Sequence, residues 1–525
     1  MKLKNALYIA LIIAAGSAGI TGCKKSAFDI NKNPNAPTDS SITYNLLLPS
    51  ALQSTSSIVE TNWTWLQNWL GYWARSGTYA PNVIEETYQI TTNFATGVWD
   101  NLYSNTFNYD IMQQKANQAG AGFYEGIGRI MKAHNFQILV DVYNNVPYFE
   151  ALKGNSNPTP QYDKGIDIYE DLFRQIDTAI TLMDEFSHLD AATKAILNVD
   201  YSTNDLVFKG DPTLWIKFGN TLKLRMLVHL YNVADFDFAS EVAKIEASGV
   251  GYLESGESVQ INPGFSASKP NPFYRFYVRD ETEVATANSV YSKANEFAIG
   301  YYQWDGDPRL GRFYTAGNQG QRGVAYGLPP IAENVAATLS AVSGPGLLPG
   351  SGNNDAYNSR AWIMTSVESY FLQAEAAERG IIAGDASALL TTAIQESFTW
   401  LGLTTTDADD YIAFNETYPD VDYYADGGGI PTIISQKWFA LNAIAPFEVW
   451  SDYRRCDADG ETHFVYGVVG GYDPGPPISV APQNTASEIP VRLLYPQNEY
   501  NYNAANVAKE GTPNQFTSKI FWDIN

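Results

Sequence analysis

IGRIMKAHNFQILVDVYNNVPY, residues 127–148, reads as one long helix with a hard stop. Ile127, Met131, His134, Ile138 and Val142 recur three or four residues apart, the period of an amphipathic helix rather than the alternation of a strand. Asn144-Asn145-Val146-Pro147 then supplies the turn formers and the proline that end it. The same period returns on both sides. Trp65, Trp69 and Trp73 fall four apart, and Trp99, Tyr103 and Phe107 repeat that spacing. Tyr169, Leu172, Ile176, Ile180 and Met183 make another stripe. Asp211-Pro212 pairs an N-cap residue with a proline at the first helical position, and Trp215, Phe218, Leu222, Arg225 and His229 follow it. Ile363, Val367, Tyr370, Ala374 and Ala377 predict a helix stopped near Gly380. Asp385 caps the next, through Leu389, Ala393 and Phe398, and Pro431 opens one through Ile434, Trp438, Leu441 and Ala445.

These stripes predict a mainly all-α chain of successive helical hairpins. Residues 250–285, 301–360, 403–430 and 457–525 are instead rich in Gly, Pro, Asn, Ser and Tyr. They read as long ordered loops with a few short strands, the usual seat of function on a helical scaffold. No break in composition marks a second domain, so 41–525 is expected to be one.

The N-terminus predicts where the protein resides. Lys2 and Lys4 precede an apolar run from Ala6 to Ala18, and Ile20-Thr21-Gly22-Cys23 follows. A basic start, a short apolar stretch and small residues describe a secretory signal peptide over 1–22. The run is short for a membrane span. Cys23 at the cleavage point is the expected lipidation site, and residues 23–40 the tether behind it. Each buried acyl methylene contributes about 0.8 kcal/mol, so several chains on one residue anchor firmly.

Composition narrows the function. The net charge is −24, or −26 once Lys2 and Lys4 are removed with the leader. A field of that sign repels phosphate backbones and argues against nucleic acid as a partner. With Cys23 acylated, Cys456 stands alone and the core must hold by packing. The four histidines, His134, His188, His229 and His463, show no metal-ligand spacing. The acids of Asp305 and Asp307, and of Asp457-Ala458-Asp459-Gly460, fall short of a calcium loop. No metal or cofactor is expected. There is no Gly-x-Ser-x-Gly elbow, His-Glu-x-x-His or phosphate loop. Among 57 acids no pair can be singled out as the two carboxylates of a glycoside hydrolase.

Several segments together resemble the SusD/RagB family of nutrient-binding outer-membrane lipoproteins. Phe28-Asp29-Ile30-Asn31 with Asn33-Pro34-Asn35 resembles the start that follows the lipidated cysteine. His134 to Tyr143, closing on Val146-Pro147-Tyr148, resembles the long N-terminal helix and its turn, and Asp167-Ile168-Tyr169 through Ile180 the next helix. Asp307-Pro308-Arg309, Glu368 to Ala376, Gln436 to Ala440, Trp450 to Arg455 and Ile489-Pro490-Val491-Arg492 continue the match in order. The resemblance implies helical hairpins of tetratricopeptide type on one side and ligand-binding loops on the other. It further implies a non-enzymatic, lipid-anchored protein of the cell outer membrane, facing outward. Such a protein would capture oligosaccharides, or alternatively peptides, and deliver them to a TonB-dependent SusC-like transporter. A surface glycoside hydrolase is the rival class.

Sugars present a flat CH face and a rim of hydroxyls, so their sites combine exposed aromatic planes with amide, carboxylate or guanidinium groups. Three clusters offer these. Trp73, Arg75 and Tyr79 close the Trp-rich helix and enter the loop Arg75 to Asn82, where Arg75 and Tyr79 are expected to be exposed. Tyr301 and Trp304 lie in Tyr301-Tyr302-Gln303-Trp304-Asp305, at the edge of a loop-rich stretch. Tyr274 sits in Phe273-Tyr274-Arg275-Phe276-Tyr277. The second and third clusters fit aromatic packing beneath long loops equally well, and Trp73 also fits a place in the core. Arg454 and Arg455 are expected in a buried network with acids.

Overall fold

The computed structural model describes residues 42–349, 356–425, 428–456 and 476–524. The signal peptide, Cys23 and its tether lie outside the described residues, as do the stretch Asp457 to Gly460 and His463.

The scaffold opens with α1 (Tyr44–Thr61), α2 (Thr64–Trp69), β1 (Trp73–Arg75) and α3 (Val83–Glu86). Four long helices follow, α4 (Gly97–Ala119), α5 (Gly122–Tyr143), α6 (Gly165–His188) and α7 (Pro212–His229). Each packs on the next, and α1 lies against α4. The middle of the chain holds β2 (Val259–Ile261), α8 (Pro272–Tyr277), β3 (Ser292–Ala294) and α9 (Glu296–Trp304). Then come β4 (Ala361–Met364), α10 (Ser366–Glu378), α11 (Ala386–Trp400), α12 (Thr405–Phe414), α13 (Ile430–Leu441) and α14 (Pro446–Arg455). The strands form two antiparallel pairs, β1 with β3 and β2 with β4. The architecture is therefore mainly α-helical hairpins with short strands, as the periodicity predicts.

Local chemistry explains the boundaries. The Asp211 carboxylate accepts from the backbone N–H groups of Thr213 and Leu214, with Pro212 in the first turn of α7. Asp385 caps α11 through Ala388. α10 ends at Gly380 in the left-handed region (φ +70°), with Ile381 donating back to Ala376. α5 is buried almost all round rather than on one stripe, because α4 and α6 flank it. Several elements differ from expectation: α12 lies inside the stretch 403–430 that reads as loop, capped by Thr404, and α13 stops at Leu441, short of Ala445, which instead precedes α14. The helix carrying Ile363 begins only at Ser366, since residues 361–364 pair as β4. The Trp helix stops at Trp69, where Gly71 adopts φ +78° and turns the chain into β1.

Aromatic residues mostly fill the interior. Trp65 packs edge-on against Trp69 (4.7 Å) and Trp450 (5.5 Å), and Tyr72 stacks on Trp438 at 4.7 Å. An ionic lattice runs through the same core. Lys437 donates to Glu448 (2.8 Å) and Asp452 (3.0 Å), and Arg455 bridges Asp452 and Glu375. His229 meets Glu448 at 3.0 Å, and Arg225 pairs with Glu368 at 2.9 Å. Arg455 thus lies in the buried network expected for it. Each charge there has a counter-charge, and removing one partner of such a pair costs about 3–5 kcal/mol.

Candidate functional site

β1 organises the region that holds the sequence-predicted residues. It pairs with β3 in the register Trp73↔Ala294 and Arg75↔Ser292, and β3 leads within one residue into α9, which carries Tyr301 and Trp304. The first two clusters therefore share one neighbourhood. Trp73 is only 1 % exposed, edge-on to Tyr277 at 5.0 Å, so it joins the third cluster from inside. Trp73, Tyr274 and Tyr301 are all buried and present no free face. Tyr274 donates its hydroxyl to Glu283 (3.1 Å), and the Tyr301 ring lies against Phe297 (4.7 Å). The Tyr301 to Trp304 segment is the end of a helix rather than a loop edge.

Arg75 is buried as well, contrary to its expected exposure, because a partner waits eleven residues on. Its Nε donates to Glu86 Oε1 at 2.5 Å, Nη1 to the Tyr79 carbonyl at 2.7 Å and Nη2 to the Leu328 carbonyl at 3.0 Å. One guanidinium thus ties β1, the 76–86 segment and the 326–331 loop together. Further bonds dock the segment: Gly77 N–H to the Asn334 carbonyl (2.7 Å) and Ala336 N–H to Thr78 Oγ1 (3.0 Å). Tyr79 is half-buried on Tyr291 at 5.4 Å. Beneath, burial pushes the Glu85 carboxyl up to about 7, against the hydrogen bond from Asn68.

The docked segment backs an open groove of about 470 Å³. Glu296, Gly300 and Gln303 on the outer face of α9 form one wall, and Arg322, Ile331 and Asn334 the other. Gly323 lets the two walls meet: a Cβ there would lie 2.3 Å from the Glu296 nitrogen. Arg322 fixes the loop, donating to the Glu333 carbonyl (2.6 Å), Asn334 Oδ1 (2.8 Å) and Thr338 Oγ1 (3.0 Å). Trp304 follows Gln303 and sits one turn beyond Gly300, on the exposed side of α9 and next in sequence to the groove's lining residues. Eleven of the twelve tryptophans are buried, and Trp304 is 53 % exposed. Ile331 opposite is 47 % exposed.

The turn after Trp304 is anchored. Asn415 donates to the Asp305 carbonyl (3.0 Å), and a Cβ on Gly306 would lie 3.6 Å from the exposed Phe414 ring. Burial, with Asp420 and Asp307 nearby, raises the Asp305 carboxyl well above the usual range. Among the described residues, no group of three or more His, Cys, Asp or Glu is placed to hold a metal ion.

Sequence reasoning missed Arg322, Ile331 and Asn334, which lie in a loop with no period. Glu296, Gly300 and Gln303 were findable: with Trp304 they make a surface stripe at helical spacing. An aliphatic wall, three amides, a carboxylate and a guanidinium line one groove, with an exposed indole one residue beyond Gln303; such a set suits a ligand with apolar faces and many hydroxyls.

The family model for SusD-like proteins, described as starch-binding and associating with the outer membrane, matches residues 34–496. Among curated proteins, none matches the chain. Solved structures share its fold. A chitin-binding SusD homologue from Flavobacterium johnsoniae is 22 % identical, with TM-score 0.70 over 92 % of this chain and 99 % of that one. A SusD homologue from Bacteroides uniformis is 20 % identical, with TM-score 0.70 over 91 % and 99 %. A SusD/RagB family protein from Bacteroides thetaiotaomicron is 17 % identical, with TM-score 0.68 over 92 % and 99 %.

Proposed function

Because this chain belongs to the SusD-like family, we propose that it is a non-enzymatic oligosaccharide receptor, held by an acylated Cys23 at the outer face of the outer membrane. In this reading it passes its ligand to a TonB-dependent SusC-like transporter. The observation that carries the reading is Trp304, the one tryptophan left at the surface, one residue beyond Gln303 in the wall of a groove with polar sides. A stacked sugar ring would cover the indole, while the exposed Gln303 and Glu296 offer hydrogen bonds to hydroxyls. Tyr79 belongs to this site through its docked segment. Arg75 serves as the positioning residue, and Trp73, Tyr274 and Tyr301 form the packing beneath.

The groove also argues against hydrolysis. Cleavage of a glycosidic bond needs two carboxylates roughly 5–9.5 Å apart across it. Glu296 is the one carboxylate among the lining residues. No helix among the described residues is long and apolar enough to cross a membrane, and the proposed attachment runs through Cys23.

The test is calorimetric titration of the wild type and Trp304→Ala with malto- and chito-oligosaccharides. Truncating a central aromatic contact costs about 2 kcal/mol, near thirtyfold in Kd. Unchanged affinity in a folded W304A protein removes this groove from the account. Binding of oligopeptides alone replaces the sugar with a peptide ligand.

A further inference from the structure

A second groove, of about 530 Å³, runs between α1 and the segment 265–276. We infer that it binds an acidic sugar unit, a carboxylate-bearing hexose of an oligosaccharide, as a subsite separate from the one at Trp304. The inference rests on the chain being a glycan receptor and adds the class of glycan.

The groove has complementary walls. On α1, Ser54, Ser57 and Thr61 follow the helical spacing and face the groove, while Leu48, Leu52, Ile58 and Val59 are buried on the far side. Opposite them stand Lys269, Arg275 and Phe276, the last 38 % exposed. Hydroxyls on one side and a phenyl plane on the other suit a pyranose ring.

Charge selects the kind of ring. The chain carries 57 acids against 33 lysines and arginines, yet this groove is lined by two cations and no carboxylate. Lys269 donates to the neutral Gln53 amide at 2.6 Å rather than to a carboxylate. Arg275 pairs with Glu281 at 3.0 Å, but those side chains are 61 % and 47 % exposed. A water-screened pair of that kind is weak and yields readily to a competing carboxylate. A guanidinium binds a carboxylate through paired, charge-assisted hydrogen bonds, which a neutral sugar does not offer.

The walls are also pre-set. The buried Glu60 of α1 accepts from the backbone N–H groups of Phe273 (3.1 Å) and Trp362 (2.9 Å), pinning α8 to α1. Asn271, fully buried, caps α8 at Tyr274 (2.9 Å) and donates to the Arg360 carbonyl (2.7 Å). Ser266 and Lys269 exchange backbone hydrogen bonds of 2.9 and 3.0 Å, fixing the base of the Lys269 side chain. A groove fixed by such bonds loses little conformational freedom on binding.

The experiment titrates tri-galacturonate and the neutral maltotriose into the wild type, K269Q/R275Q, K269R/R275K and W304A, with thermal melts as a fold control. The expected result is tri-galacturonate binding that weakens with added salt. It falls at least tenfold in K269Q/R275Q, is retained in K269R/R275K and is unmoved in W304A. Maltotriose affinity stays the same in K269Q/R275Q. No binding of tri-galacturonate, equal affinity in K269Q/R275Q, or its loss in W304A each overturns the inference. None of these touches the neutral-sugar reading, which fails separately if W304A binds maltotriose as well as the wild type does.

Discussion

Replacing Arg75 with Met should loosen the candidate site from behind. The Arg75 and Glu86 side chains are each 1 % exposed, 2.5 Å apart. Arg75→Met leaves the Glu86 carboxylate buried with the Asn82 N–H (3.2 Å) as its remaining donor, and strips hydrogen bonds from the Tyr79 and Leu328 carbonyls. Breaking a buried pair from one side costs about 3–5 kcal/mol. Unfolding entropy near 2.1 cal/mol/K per residue gives roughly 1 kcal/mol/K for the unit of roughly 480 residues from Tyr44 to Asn525. The expected fall in Tm by scanning calorimetry is therefore about 3–5 °C. Amide exchange should accelerate most in 76–86 and 326–331. Arg75→Met/Glu86→Leu should recover part of the loss, since the stranded charge is gone. A Tm within 1 °C of wild type, with unchanged exchange in both segments, would refute the clamp.

Three further outcomes follow from the same interior. Burial, then the charge of Arg225, lowers His134 from 6.5 to about 3. Between those values the unfolded chain binds a proton that the folded one refuses, so stability falls as pH drops through 6.5. From pH 7 to 5 this amounts to on the order of 2 kcal/mol, and melts of His134→Gln should lose correspondingly less over that range. Burial alone would raise Glu375, but Arg455 and Arg379 overcome it and bring the carboxyl to about 2. Its contribution, on the order of 3 kcal/mol, is present above 4.5 and lost as pH falls toward 2. The Tm gap between wild type and Glu375→Gln should accordingly narrow below pH 4.5. Gly323→Ala should lower Tm and weaken glycan binding together, because its Cβ meets the α9 backbone at 2.3 Å; a folded variant with wild-type affinity would separate that contact from the groove.

Much of the scaffold was readable because its helices carry their own signals. Asp211-Pro212, Asp385 and Gly380 mark boundaries through local chemistry, which no distant contact has to supply. Trp65, Trp69 and Trp73 misled for the opposite reason. Their spacing is helical, but Gly71 breaks the helix between the second and third, at a place where a Cβ would meet Pro477 at 2.6 Å. Arg75 looked exposed because its partner is one acid among 57, and only the fold brings Glu86 to it. The same holds for the groove. Its α9 wall is periodic, whereas Arg322 and Asn334 arrive through loop bonds that depend on tertiary contact.

The most direct measurement titrates the purified protein with neutral and acidic oligosaccharides and oligopeptides, then recovers each ligand and determines its length. Saturable binding of an oligosaccharide returned intact is the expected result. An oligosaccharide returned shortened, or saturable binding confined to peptides, would contradict the reading of this chain as a glycan receptor.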